Sequence, residues 1–162
     1  MFYLDECPYR AAVSCCDQHV RKMILESAQM LVTARVMSGE LGVGSRYATM
    51  RMRNHPCAVW VREGGAGWLE RHLLGLCAEY EYRFRGVAHA TYVYYFEHVG
   101  ALWPAVRRDL AQPLCVSVYR DEDDPVGTYR RYYVEEKSRF ATWTRREAPA
   151  WYLEGISGSR SG

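Results

Sequence analysis

Five polar side chains in the stretch CCDQHVRKMILESAQMLVTA recur at the spacing of one helical face. They are His19, Lys22, Glu26, Gln29 and Thr33. At roughly 100° per residue, this row falls between two apolar strips instead of on the outward back of the helix. Such a row is typical of a cleft wall or of a buried polar network. It also fits an ordinary solvated side bordered by partly buried apolar residues.

Lys22 and Glu26 are four residues apart, so their charged groups can meet on a helix. In an apolar setting the two would form an acid–base pair with shifted pKa values. A desolvated lysine can also act as a neutral nucleophile. The same spacing equally describes an i,i+4 ion pair that contributes under ~0.5 kcal/mol. The sequence leaves both interpretations open.

A second polar cluster, Asn54-His55-Pro56, has the residue types of a helix start. Asn54 or His55 can cap the helix, and Pro56 suits its first turn. The helix dipole there favours a neutral imidazole, which could hydrogen-bond a base or a phosphate. Simple capping is the alternative. Arg53, from the preceding Gly/Ser loop, is a further candidate for substrate binding.

The stretch TYRRYYVEEKSRFATWTRREAPAW alternates arginines with aromatic rings. Arginines that bind phosphates and rings that stack on bases are the mixture that nucleic-acid surfaces need. The predicted DNA contacts are Tyr129, Arg130, Trp143, Arg145 and Trp151. The alternative is a helix whose aromatic residues pack inward while its arginines are solvated, and part of the stretch has that spacing.

A mainly α-helical fold must position these residues. The predicted helices span about 11–37, a segment beginning at 54–55, 67–86 with Gly86 as C-cap, and 128–143. Residues 90–99, ATYVYYFEHV, fit a strand or a helix. We expect one compact helical domain over 1–156 and a disordered tail over 157–162.

Length and composition are those of a soluble globular protein. The chain has 162 residues, a net charge of +2 and a 14% aromatic share. This charge neither requires nor excludes a nucleic-acid partner. We find no apolar run long enough to span a membrane and no signal peptide, and we expect the six cysteines to be free thiols. The expected compartment is the cytoplasm, including that of a phage-infected host cell.

No motif for a metal or a nucleotide cofactor accompanies these residues. HExxH, GxGxxG and GxxxxGK[ST] are all absent, so we expect no metal and no cofactor. DNA is the expected partner, a membrane is not, and the sequence makes no prediction of oligomeric state.

Three stretches resemble the pyrimidine-dimer DNA glycosylases of the endonuclease V type. They are DQHVRKMILESAQM, NHPCAVWVREGGAGWLERHLLGLCAEYEYRFRG and APAWYLEG. The chain is also similar to small phage proteins that share DQHVRKM and NHPCAVW. The family resemblance implies a small, mostly helical, one-domain enzyme whose catalytic glutamate is Glu26.

Members of that family attack the sugar C1′ with their N-terminal α-amine. This chain departs from the family at two places. Phe2 is too large to favour removal of Met1, and Leu25 stands where the family has an arginine before its glutamate. Lys22, one turn from Glu26, would then offer a replacement amine.

Two hypotheses follow. The first is an enzyme acting on a DNA base or its glycosidic bond, either excising the base or modifying a pyrimidine. In it Glu26 is the acid–base group and Lys22 the nucleophile, with the Met1 amine as the less favoured choice. His19, His55, Gln29 and Asn54 would act on or orient the substrate. The second is a non-catalytic module that binds nucleic acid or a host protein, in which the polar row is structural.

Overall fold

Helices make up the regular structure of this protein. The computed structural model describes residues 1–84, 86–100, 103, 114 and 118–158. Its α-helices are α1 (Pro8–Ser14), α2 (Asp17–Met37), α3 (Pro56–Trp60), α4 (Ala66–Phe84), α5 (Ala90–His98), α6 (Pro125–Lys137) and α7 (Ala150–Gly158). Met50–Met52 is a 3₁₀ turn, and the π-helical turn Val61–Gly65 joins α3 to α4. No strand occurs in the described ranges, and the predicted mainly α-helical fold is confirmed.

The first predicted helix is divided into α1 and α2. Pro8 opens α1, where its missing N–H is harmless. Cys15 and Cys16 are extended, with ψ angles of 136° and 165°. The N–H groups of Cys16 and Asp17 donate to the hydroxyl of Tyr133 and to a backbone carbonyl, at 2.8 Å each. These tertiary hydrogen bonds replace the helical ones that a continuous helix over 11–37 would need.

The helix α4 is central to the core. It packs against both α1 and α2. Its periodic side chains Leu69, Leu73 and Leu76 are fully buried. On the side facing α1, a Cβ on Gly75 would come within 2.8 Å of the Cβ of Ala12. A glycine is therefore needed at this close approach of the two helices.

Two glycines with positive φ angles lie on either side of α4. Gly64, in the turn between α3 and α4, has φ 137°. Gly86 has φ 74°, and its N–H donates to the carbonyl of Glu81 at 2.9 Å beyond the end of α4. Residues with a Cβ rarely adopt these angles, so glycine suits both positions.

The ambiguous segment 90–99 forms the helix α5. The Nδ1 atom of His89 accepts from the N–H of Thr91 at 3.2 Å and so caps the first turn. This cap favours the helix over a strand, even though the segment is rich in β-branched and aromatic residues.

The C-terminal helices differ from the predicted bounds. Asp124 caps α6 by accepting from the N–H of Gly127 at 2.8 Å, so the helix begins before residue 128, and it ends at Lys137. Helix α7 continues through Gly158. Two residues of the predicted tail are thus helical, and 159–162 lie outside the described residues.

Arg83 is a buried cation in the last turn of α4. Its Nη1 and Nη2 donate to the carbonyl oxygens of Cys15 and Val13, at 2.8 Å each. Its Nε donates to Glu79 at 2.9 Å, and Nη1 also donates to Asp17 at 3.2 Å. A buried charge is tolerated only when it is paired and hydrogen-bonded. These contacts hold the junction of α1 and α2 against α4.

The carboxylate of Asp17 accepts hydrogen bonds from the segment between α6 and α7. The N–H of Thr144 donates to its two oxygens at 3.0 and 2.9 Å, and the Thr144 and Thr142 hydroxyls donate at 2.7 and 3.2 Å. Burial raises the pKa of Asp17, but hydrogen bonds outweigh it and hold the pKa below its usual value. In the same segment, Arg146 donates to both oxygens of Glu79. The segment is therefore attached to α2 and to α4.

Two further expectations from the sequence concern membrane-spanning helices and the state of the cysteines. Within the described residues, no helix has both the length and the apolar character needed to cross a membrane. Cys7, Cys15, Cys16 and Cys77 are free thiols, and Cys115 lies outside the described residues.

Leu73→Ala and Leu76→Ala should each lower the free energy of unfolding by about 2–5 kcal/mol. Both side chains are fully buried, so truncation loses apolar contacts and leaves a cavity between α4 and its neighbours. Urea unfolding of each variant measures the loss. Leu153→Ala, at an exposed position on α7, is the control and should change stability by about 0.5 kcal/mol or less. A loss below about 1 kcal/mol at both core positions would contradict this packing.

Candidate active site

A cavity of about 400 Å³ lies between the N-terminus, one face of α2 and the segment that leads into α3. Its lining residues are Met1, Glu26, Gln29, Met30, Thr33, Thr49, Met52, His55 and Ala58. The volume is within the range of small-molecule sites, about 300–1,000 Å³. Apolar walls with a few polar groups are also typical of such sites.

Helix α2 contributes the polar wall of this cavity. Glu26, Gln29 and Thr33 lie at positions i, i+3 and i+7 and therefore share one face. His19 and Lys22, earlier on the same helix, do not line the cavity. Three residues of the predicted polar row thus form a cavity wall, and the other two lie outside the cavity.

The carboxylate of Glu26 lies between two amines. Its Oε2 is 3.8 Å from the α-amino nitrogen of Met1, and its Oε1 is 3.5 Å from Nζ of Lys22. The Lys22 side chain is 64% exposed, whereas Met1 lines the cavity. The apolar setting expected for Lys22 is absent, because its side chain extends from α2 into solvent.

Phe2 anchors the N-terminus beside Glu26. Its ring stacks on that of His19 at a centroid distance of 4.3 Å and lies nearly parallel to that of Tyr132 at 6.4 Å. Leu4, two residues further on, is fully buried. Because the chain enters the core directly after Met1, the position of the α-amine is set by packing.

His19 is a core residue. Its Nδ1 is 2.6 Å from the hydroxyl of Tyr133, which also accepts from the N–H of Cys16 at 2.8 Å. Burial lowers the pKa of His19 to about 4, and the charges of Lys137 and Lys22 add to this effect. The imidazole is neutral at pH 7, and in the tautomer with an unprotonated Nδ1 it accepts a hydrogen bond from the Tyr133 hydroxyl. The predicted catalytic residue His19 therefore supports the N-terminus from outside the cavity.

His55 lines the cavity and caps α3. Its Nδ1 accepts from the N–H of Cys57 at 3.2 Å, so the neutral ring carries its proton on Nε2. Burial and then the N-terminal ammonium lower the pKa of His55, against an opposing effect of Glu26. The ring is thus a hydrogen-bond donor at pH 7. In the described part of the chain, no three His, Cys, Asp or Glu side chains group as metal ligands would.

Arg53 and Asn54 are exposed next to this wall. Nη1 of Arg53 donates to the carbonyl of Met50 at 3.3 Å, and Nη1 of Arg62 donates to the carbonyl of Arg53 at 2.7 Å. Neither Arg53 nor Asn54 lines the cavity, although residues on both sides of them do.

Two of the predicted C-terminal DNA contacts are part of the core or tied to it. Tyr129 is 1% exposed, which excludes stacking on a base. Nε of Arg130 donates to the carbonyl of Leu4 at 2.9 Å, and its guanidinium lies 5.4 Å from a ring of Trp151. The packing alternative accounts for Tyr129, because its helical spacing places it on the inner face of α6.

Two other predicted C-terminal contacts, Trp143 and Arg145, fasten the segment between α6 and α7. Nε1 of Trp143 donates to the carbonyl of Ser14 at 3.2 Å, and Nη1 of Arg145 donates to that of Tyr82 at 2.7 Å. Like Trp151, neither lines the cavity. These side chains are used to hold the fold together.

Sequence reasoning missed Thr49 and Met52 as lining residues. Thr49 lies in irregular backbone and Met52 in a single 3₁₀ turn, both too short for a helical or strand period to mark the inward side. The available signal was their position within six residues of His55 along the chain.

Comparison with known families identifies the family of this chain. A sequence model of the family described as pyrimidine dimer DNA glycosylase matches residues 2–95. The chain belongs to the pyrimidine dimer DNA glycosylase family. The resemblance predicted from the sequence is confirmed. No curated protein and no solved structure gives a significant match.

The match places the cavity within the part of the chain that defines the pyrimidine dimer DNA glycosylase family. All lining residues except Met1 fall inside residues 2–95. Helices α6 and α7 fall outside the match, as do the arginines and aromatic residues of the C-terminal stretch.

The protein should lose stability as the pH falls from about 7 to 4. Burial lowers the pKa of His19 and of His72 from 6.5 to about 4, so the unfolded chain binds more protons in this window. The stability that the two neutral histidines contribute is complete above about pH 6.5 and is lost as the pH falls towards 4. At ~1.36 kcal/mol per pKa unit, each contributes about 3 kcal/mol at most. Urea unfolding at a series of pH values measures the slope.

His19→Gln should reduce the slope of the free energy of unfolding against pH by the equivalent of about one bound proton. His98→Gln, at an exposed position on α5, is the control and should leave the slope unchanged. Equal slopes for His19→Gln and the unmodified protein would mean that His19 does not titrate as its burial implies.

Proposed function

We propose that this protein is a DNA glycosylase that breaks the N-glycosidic bond of a base in DNA. The α-amine of Met1 is the nucleophile and Glu26 is its acid–base partner. The observation that carries the proposal is the 3.8 Å approach of the α-amino nitrogen to Glu26 in a cavity wall. Membership of the pyrimidine dimer DNA glycosylase family supports the class of reaction.

Lys22 becomes the second choice as nucleophile. It is 3.5 Å from Glu26, but it is 64% exposed and lies outside the cavity. A protonated lysine in water is a weak nucleophile, and activation requires desolvation or a neighbouring base. The amine at Met1 has both a neighbouring base and a place in the cavity wall.

The proposed chemistry begins with transfer of a proton from the terminal ammonium to Glu26. The amine then attacks C1′ of the deoxyribose, and the C1′–N bond breaks with its electron pair passing to the departing base. The base leaves after gaining a proton. Attack leaves the nitrogen positively charged, and loss of a second proton restores its lone pair. That lone pair expels O4′, which takes a proton, and a protonated imine joins the chain to C1′. Glu26 can return its proton in this sequence and so serve as acid as well as base.

His55 and Gln29 have the groups needed to hold a base next to this amine. The Nε2–H of His55 donates a hydrogen bond without adding a charge, because Nδ1 is used in the cap. The carboxamide of Gln29 can donate and accept, which suits the polar edge of a base. Met30 and Ala58 provide apolar surface on the same walls.

A base in a duplex cannot reach this cavity without leaving the stack. The reacting nucleotide must therefore be extruded, as in other enzymes that perform chemistry on bases. Glu26 is 35% exposed, so the cavity is open to an incoming nucleotide.

The nucleophile can be identified because the chain has two lysines, Lys22 and Lys137. In the double variant K22R/K137R, the α-amine is the one remaining primary amine. We expect borohydride to trap this variant on an oligonucleotide with one abasic site as fully as the unmodified protein, because C1′ is attacked by Met1. Mass spectrometry should place the adduct on the N-terminal peptide, and intact mass should show that Met1 is retained.

Glu26→Gln should lower the trapping rate by about 10²–10⁴-fold while leaving DNA affinity unchanged, because it removes the proton acceptor. Glu63→Gln is a control that does not line the cavity and should trap normally. Loss of the adduct in K22R/K137R would return the role to a lysine. If nothing is trapped but Glu26→Gln abolishes base release, displacement is direct and the amine assignment is wrong. Binding without turnover would favour the non-catalytic module.

DNA affinity should fall steeply as salt rises from about 50 to 200 mM. Binding of phosphates by arginines releases counterions, which makes the affinity depend on salt concentration. Fluorescence anisotropy with a labelled duplex measures the slope. Binding that is insensitive to salt, or absent at micromolar protein, would contradict a DNA substrate.

A further inference from the structure

The short 3₁₀ turn Met50–Met52 presents two methionines to solvent at the edge of the cavity. Met52 is 48% exposed although it also lines the cavity, and Met50 is 36% exposed. A side chain that lines a cavity and is half exposed stands at its rim. The two methionines therefore lie where DNA would have to meet the protein if a nucleotide entered this cavity.

The segment carrying this turn is held firmly to the helices. The N–H of Thr49 donates to the hydroxyl of Thr33 on α2 at 2.8 Å. Tyr47 has a left-handed φ of 72°, and its ring meets that of Tyr94 on α5 edge-on at 5.2 Å. After the turn, the N–H of His55 donates to the carbonyl of Met52 at 2.9 Å. The exposed methionines are thus placed at a set position relative to the wall that carries Glu26.

The charge around the turn suits a polyanion. Residues 41–62 contain four arginines and no aspartate or glutamate. Arg51 is exposed between the two methionines. The guanidinium of Arg46 lies 5.0 Å from the ring of Tyr47, also on an exposed surface. Alternating cationic and apolar side chains can contact phosphates and bases at the same time.

Methionine is suited to enter a base stack. Its side chain is unbranched, flexible and polarizable, so it can fill a narrow space between flat rings. Proteins that bend DNA commonly insert such apolar wedges between base steps, with arginines or lysines nearby. A duplex that loses a nucleotide to a cavity leaves a space of this kind next to the cavity rim.

We propose that Met52 inserts into duplex DNA and fills the space left by the nucleotide that enters the cavity, while Arg51 contacts the adjacent phosphates. This proposal rests on the proposed function, since it concerns how the same cavity receives its substrate. Met52 is a positioning residue, and it acts on duplex DNA alone. A single strand has no opposing stack to open, so its entry does not require the wedge.

Met52→Ala should therefore separate duplex from single-stranded substrates. The probe is an oligonucleotide with one abasic site and 2-aminopurine as its neighbour, used single-stranded and in a duplex. Relative to the unmodified protein, we expect Met52→Ala to lower the ratio of the duplex trapping rate to the single-strand trapping rate by about 10- to 100-fold. The rise in 2-aminopurine fluorescence that accompanies unstacking should also be lost.

Two variants control for structure. Met52→Leu keeps an apolar side chain of similar volume and should restore most of the duplex rate. Met37→Ala removes a methionine of similar exposure, 42%, that does not line the cavity and lies about 16 Å along α2 from Glu26. It should have no effect on either rate. Urea unfolding should show equal stability for all three variants, because both positions are exposed.

The outcomes distinguish the two proposals. If the unmodified protein traps both substrates and Met52→Ala behaves identically on each, the wedge is wrong and the glycosylase function stands. An equal loss on duplex and single strand would mean that Met52 acts only as part of the cavity wall, and would overturn the wedge. If the unmodified protein traps neither substrate, the proposed function fails and the wedge falls with it.

Discussion

The buried guanidinium of Arg83 joins the parts of the chain on which the cavity depends. It donates to two carbonyls at the end of α1, to Asp17 at the start of α2 and to Glu79 on its own helix. An arginine at 2% exposure would be strongly destabilising if any large part of this set were missing. Each partner is therefore constrained in position by the need to satisfy one charge.

The hydrogen bonds at this junction fix the start of α2 and so its direction. Helix α2 in turn provides one wall of the cavity. Glu26 lies nine residues after Asp17, about 14 Å along the helix. At the same junction, the Tyr133 hydroxyl binds the N–H of Cys16 and the ring of His19, on which Phe2 stacks. Both sides of the contact between Glu26 and the terminal amine are thus placed from one set of buried hydrogen bonds.

Helical periodicity predicted much of this arrangement. It located α4 and most of α2, and it placed Glu26, Gln29 and Thr33 on one face, which the structure shows as a cavity wall. Capping chemistry predicted the start of α3 at His55. In each case the signal is local, because side chains three or four residues apart determine it.

What the sequence could not predict depends on distant contacts. Period alone does not tell a core face from a cleft wall, so His19 was grouped with Glu26 although it packs beneath Phe2. Nor does it show that Lys22 extends into solvent. The sequence also does not show that Arg145 and Arg146 bind Tyr82 and Glu79 on α4, some 60 residues earlier in the chain.

The contact between Asp17 and Thr144 has a consequence for the order in which the protein can form. The two residues are 127 positions apart, so Asp17 lacks this partner until residue 144 has left the ribosome. Helix α2 and its polar wall are synthesised early but acquire their final support late. Contacts of such long range are closed slowly, because the intervening chain must be ordered first. The partner of Asp17 in this contact, Thr144, thus lies outside residues 2–95, the range that matches the family model.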